Sequence, residues 1–63
     1  MSYSCDVHLY FHGQPGRTLH IGEDRKARDR EHAISLAKLD TQAKGWDLKK
    51  LDEVVVTGEI ISK

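Results

Sequence analysis

The sequence predicts a small α+β domain of order ββαβ, a small antiparallel sheet with a single helix packed on one face. Three observations carry this. Residues Cys5 to Phe11 alternate apolar and polar, and after the turn residues Gly13-Gln14-Pro15-Gly16 the same alternation returns through Thr18 to Ile21. A helical period then takes over between Asp29 and Lys44, and Val54-Val55-Val56-Thr57 closes the chain with strong β character.

In the first strand Cys5, Val7, Leu9 and Phe11 share one face, and Asp6, His8, Tyr10 and His12 the other. Pro15 pre-sets φ for a turn and Gly16 supplies the positive φ of a type II turn, so a hairpin is predicted. Cross-strand partners share a face, which leaves two registers. In one, Leu9 faces Leu19 and His8 faces His20; in the other, Leu9 faces Ile21 and Tyr10 faces His20. Both gather His8, Tyr10, His12, Thr18 and His20 on one face.

Glu23 to Arg28 has no apolar period and reads as a loop or a first helical turn. In the helix, Ala33, Leu36, Ala37 and Asp40 form one stripe, with Ile34 and Leu39 on its shoulders and Ala43 extending it. Asp29 is the expected N-cap, Glu31 suits the positive end of the dipole, and Lys44 suits the negative end. Gly45 fills the position after the C-cap, with Trp46 packing back on the last turn. Trp46 and Leu48 then alternate as in a strand, and Gly58 is a bulge candidate before Ile60-Ile61. One long bent strand and two short ones both fit this tail, and Val55 and Ile61 would join the outer face.

Sixty-three residues make one domain, which buries only about 60 % of the surface its unfolded chain exposes, so stability is expected to be marginal. Its one cysteine, Cys5, forms no disulfide within the chain, which points to self-association, a homodimer, as the stabilising device. The N-terminus has neither a basic start nor a long apolar run, so a cytoplasmic protein without a membrane partner is expected.

Zinc needs Cys or His groups converging at about 2.0–2.3 Å. Alternation sends Cys5 away from the histidines, and His8 and His12 lie about 13 Å apart along a strand, so no metal or other cofactor is expected. Cys5 reads as a small buried thiol and no glycine-rich loop opens a helix, so no enzyme activity or small-molecule substrate is expected.

Two binding readings remain. A helix on one face leaves the other, with His8, Tyr10, His12, Thr18 and His20, as a contact surface for another protein or a second copy. The alternative is nucleic acid, contacted by Arg17 at the turn and by Arg25, Lys26, Arg28 and Arg30 in the segment before the helix. Against it, ten Lys and Arg balance ten Asp and Glu, and Glu23, Asp24, Asp29 and Glu31 interleave the basic run.

The hairpin, the helix with Ala33, Leu36 and Ala37, then Gly45-Trp46 and the Val54–Thr57 strand together cover most of the chain. That pattern resembles small proteins that bacteriophages make to bind and inhibit host machinery, including the RNA polymerase inhibitor of short-tailed phages. The resemblance implies a viral or prophage protein that modulates a host protein. This chain departs from the pattern in its neutral balance and in a basic loop where an acidic inhibitory surface is expected, so no functional residue is carried over.

Overall fold

The computed structural model describes residues 2–23 and 25–62, Ser62 by its backbone only. The elements run β1 (Ser2–Phe11), β2 (Gln14–Ile21), α1 (Arg30–Ala43), a short 3-10 turn (Leu48–Lys50) and β3 (Leu51–Ser62). The sheet is antiparallel with order β2-β1-β3, so β1 is central and both neighbours are edges. This is the predicted ββαβ arrangement.

Alternation in β1 decides which face is buried. Tyr3, Cys5, Val7, Leu9 and Phe11 point under the helix and join Leu19, Ile21, Ala33 and Ala37 in one core. The helix packs over β1 and β2, and small side chains at its contact line, Ala33 and Ala37, let it approach closely. Thr41 completes that line at the same spacing and is fully buried. Its hydroxyl donates to the Ala37 carbonyl at 2.8 Å, which meets the need of a buried polar group for a partner. The predicted stripe is thus corrected at its C-terminal end: Thr41 is the buried residue, whereas Asp40 is half-buried and Leu39 and Ala43 are exposed.

The helix ends where expected. Asp29 is the N-cap, its carboxylate accepting from the His32 backbone N–H at 2.9 Å. At the other end Gly45 takes φ 92, its N–H reaches the Gln42 carbonyl, and the Trp46 N–H reaches Thr41. This paired closure is a Schellman motif. Trp46 then packs on Phe11, with ring centroids 4.8 Å apart, and closes the core at this end. The extended run expected at Trp46 to Leu48 does not form, because Asp47 caps a 3-10 turn by accepting from the Lys49 N–H at 2.9 Å.

Neither predicted hairpin register forms. The observed partners are Cys5–Ile21, Asp6–His20, Val7–Leu19, His8–Thr18 and Leu9–Arg17. The turn lies at His12-Gly13 rather than at Pro15-Gly16, and Gly13, at φ 75, supplies its positive dihedral. Pro15 and Gly16 enter β2 as a bulge opposite Tyr10. A bulge on an edge strand is one of the few places in a sheet that tolerates proline.

β3 is one strand of twelve residues interrupted by two irregularities, one at Asp52 and one at Gly58. Gly58 has φ 61, the conformation of the first residue of a glycine bulge. The extra residue shifts the alternation: Val55 lies on the outer face beside His8, but Ile60 rather than Ile61 follows it there. Ile61 pairs with Tyr3 on the helix side, which corrects the expectation that it joins the outer face.

A candidate protein-binding face on the uncovered side of the sheet

The outer face is a grid of three rows. The central row, on β1, is Ser4, Asp6, His8 and Tyr10; Thr18 and His20 flank it on β2, and Glu53, Val55, Thr57 and Ile60 on β3. His8 sits at the middle and spans the sheet. Its Nδ1 lies 3.0 Å from the Thr18 hydroxyl and its Nε2 lies 2.7 Å from the Thr57 hydroxyl. Whichever ring nitrogen carries the proton, one threonine accepts and the other donates. His20 donates from Nδ1 to the Asp6 carboxylate at 2.9 Å, which fixes its protonated nitrogen.

The grid holds four of the five residues predicted for this face: His8, Tyr10, Thr18 and His20. His12 is separated from it. It lies beyond the end of β1 in the turn, its side chain 86 % exposed and 3.8 Å from Asp52. Three contributors escape sequence reasoning based on the hairpin alone: Thr57, Asp6 as the partner of His20, and Ile60. The β3 register brings Thr57 and Ile60 there, and no local pattern reports that register.

The apolar part of this face is Tyr10, 48 % exposed, Val55, and Ile60, 63 % exposed. Tyr10 lies across Gly16, where an added Cβ would stand 3.2 Å from its ring and 2.9 Å from the Leu9 carbonyl oxygen. The polar ladder lies between Tyr10 and Ile60. The histidine and threonine side chains of the ladder are therefore already held by partners, which lowers the ordering cost of a contact made on them.

The basic residues take another course. Arg17 opposes Leu9, so its side chain runs under the helix instead of standing at the hairpin tip. Its Nη1 donates to the Thr41 hydroxyl at 3.0 Å and its Nη2 to Asp40 at 2.8 Å. Arg25 donates to the other Asp40 oxygen at 2.7 Å. Arg30 forks onto Glu59, with Nε 3.0 Å from Oε2, and Tyr3 donates to the same oxygen at 2.6 Å. Of the five predicted nucleic-acid contacts, Arg17, Arg25 and Arg30 are thus engaged within the chain. Lys26 and Arg28 form no ion pair among the described residues. Asp24 of the same loop lies outside the described residues.

These two clusters fasten the helix to the sheet and set a pH dependence. Burial opposes ionisation of Asp40, but the hydrogen bond from Arg17 and the charges of Arg25, Arg17 and Lys44 outweigh it and lower its pKa. The Arg30 fork, helped by Tyr3, lowers that of Glu59. A carboxylate with a lower pKa folded than unfolded stabilises the fold above its unfolded value. That contribution is lost as pH falls through the folded value. With unfolded values near about 4, thermal melts from pH 7 to pH 2 should show stability steady above that point and falling below it. Glu59→Gln should flatten the fall, and an acid slope identical to wild type would remove Glu59 from this role.

Burial raises the pKa of both Cys5 and Tyr3, and the hydrogen bond to Glu59 raises that of Tyr3 further. Cys5 is therefore held as an inert thiol inside the core. Among the described residues no three His, Cys, Asp or Glu groups converge as a metal site, and no described helix is long and apolar enough to cross a membrane.

Comparison of the chain with protein-family models, curated proteins and solved structures finds no match. The functional reading therefore rests on the geometry of this fold.

Proposed function

We propose that the chain is a non-enzymatic protein-binding module that docks through the uncovered face of its sheet. The observation that carries this is the asymmetry of cover. One helix shields one face, while the other presents Tyr10, Val55 and Ile60 around a prearranged ladder of His8, Thr18, Thr57, Asp6 and His20. Exposed aromatic and aliphatic side chains beside satisfied polar groups give the mixed apolar and polar composition of a protein interface. The phage-protein resemblance supports a host protein as partner.

The nucleic-acid alternative, through Arg17, Arg25, Lys26, Arg28 and Arg30, is weakened by the internal engagement of three of these side chains. The two readings separate by salt. Phosphate contacts release counterions and weaken steeply as salt rises, whereas a patch centred on Tyr10 and Ile60 does not.

The test is capture from host lysate by the tagged protein and by a Tyr10→Ala, Ile60→Ser double variant, washed at low and high salt, with and without nuclease. The expected result is one stoichiometric protein that survives salt and nuclease and binds the variant at least about tenfold more weakly. Retention by the double variant at wild-type level would move the contact off this face. Loss on nuclease treatment would transfer the function to the basic loop.

A further inference from the structure

The two edges of the sheet are not equivalent. β2 is blunted by Pro15 and by the bulge opposite Tyr10, two devices that discourage edge pairing. β3 has no proline along its twelve residues. Between its irregularities at Asp52 and Gly58 runs Val54-Val55-Val56-Thr57, uncharged and strongly β-prone. The helix packs over β1 and β2 and leaves this margin uncapped, so Val54 and Val56 are only half-buried, as is Val55 on the outer face.

We propose that β3 pairs antiparallel with β3 of a second copy of this chain, across a two-fold axis through Val55, to form a six-stranded sheet. Two constraints select this register. Partners in a ladder must share a face, and Val54 and Val56 both lie on the helix side while Val55 lies on the outer side. Centring on Val55 therefore sets Val54 against Val56 of the second copy and Val55 against itself. Charge removes the neighbouring solutions, since like charges directly opposite destabilise a pair. A one-residue slip sets Asp52 against Glu59 and mixes the faces. Centring on Val56 sets Glu53 against Glu59, and centring on Val54 sets Asp52 and Glu53 against valines.

In the chosen register Glu53 meets the Thr57 hydroxyl, and the irregular residue Asp52 meets the bulge residue Gly58. The ladder thus ends in the same way on both sides of the axis. The arrangement is isologous, as a closed dimer requires. It is also short, so association is expected to be reversible and dependent on concentration.

The test is sedimentation equilibrium of wild type, Val55→Lys, Val55→Glu and an equimolar mixture of the two variants, up to about 1 mM, a range suited to small interfaces. A wild-type dimer, monomeric single variants and a dimer restored in the mixture are expected, because the axis opposes like charges in each variant and opposite charges in the mixture. A second readout covers loss of folding in either variant. Val55→Cys should form an interchain disulfide under mild oxidation and Thr57→Cys should not, since only Val55 meets its own copy while Cys5 is buried. A monomeric wild type at the highest concentration would overturn the proposal. So would a dimer undisturbed by Val55→Lys, or crosslinking through Thr57→Cys rather than Val55→Cys.

Discussion

Leu9→Ala is expected to unfold most of the protein at room temperature. Leu9 lies in the central strand, fully buried, between Arg17 on one side and Val54 on the other and beneath the helix. Truncating such a leucine removes its transfer energy and leaves a cavity, which together cost about 2–5 kcal/mol. A domain of this size rarely holds more than about 3–5 kcal/mol in its core. The loss is comparable to the whole, and cavity collapse offers little relief because the β1 backbone is paired on both edges. Urea denaturation with Leu39→Ala as control checks this. Leu39 is 62 % exposed on the far side of the helix, and its truncation should change stability by no more than about 0.5 kcal/mol. A midpoint for Leu9→Ala close to that of the control would mean that the core is centred elsewhere.

The contrast between Leu9 and Arg17 shows what was legible in the sequence. Alternation assigns every residue of β1 to a face, and the structure keeps each assignment from Cys5 to Tyr10. The helix was legible for a similar reason: Asp29, Gly45 and the intervening period are local signals, and local hydrogen bonds realise them. Register is different, because it depends on which glycine makes the turn. Gly13 and Gly16 both qualify by sequence. Choosing Gly13 moves Arg17 opposite Leu9, where it meets Asp40 and Thr41. No one-dimensional pattern signals that a turn arginine will be drawn under a helix by a carboxylate 23 positions later. Thr41 was missed on the same grounds, since its burial depends on a hydroxyl that satisfies itself on Ala37 while accepting from Arg17. Where the outer face required only alternation within β1 and β2, the sequence located it; where it required the end of β1, as for His12, or the pairing of β3, as for Thr57 and Ile60, it did not.

Gly58→Val is expected to destabilise the protein by about 1–3 kcal/mol, the range for a non-glycine residue held in a strained dihedral, whereas deletion of Gly58 should cost less. The reasoning turns on the bulge. At φ 61 a β-branched residue is strained, although an added Cβ would meet the Asp6 carboxylate that holds His20 only at ordinary contact distance, 3.4 Å. Deletion removes the strained residue altogether. Thr57 already pairs with Asp6 and Ile60 with Ser4, so Cys5 is opposed by both Gly58 and Glu59. Without Gly58 the ladder becomes regular, with Glu59 opposite Cys5, and Glu59, Ile60 and Ile61 keep their faces. Glu59 therefore still reaches Arg30 and Tyr3, and Ile60 still faces outward. Thermal melts of the two variants beside wild type decide the matter. A deletion more damaging than Gly58→Val would mean that the twist imposed by the bulge, and not the face assignment, is what the tail of β3 needs to close over Tyr3.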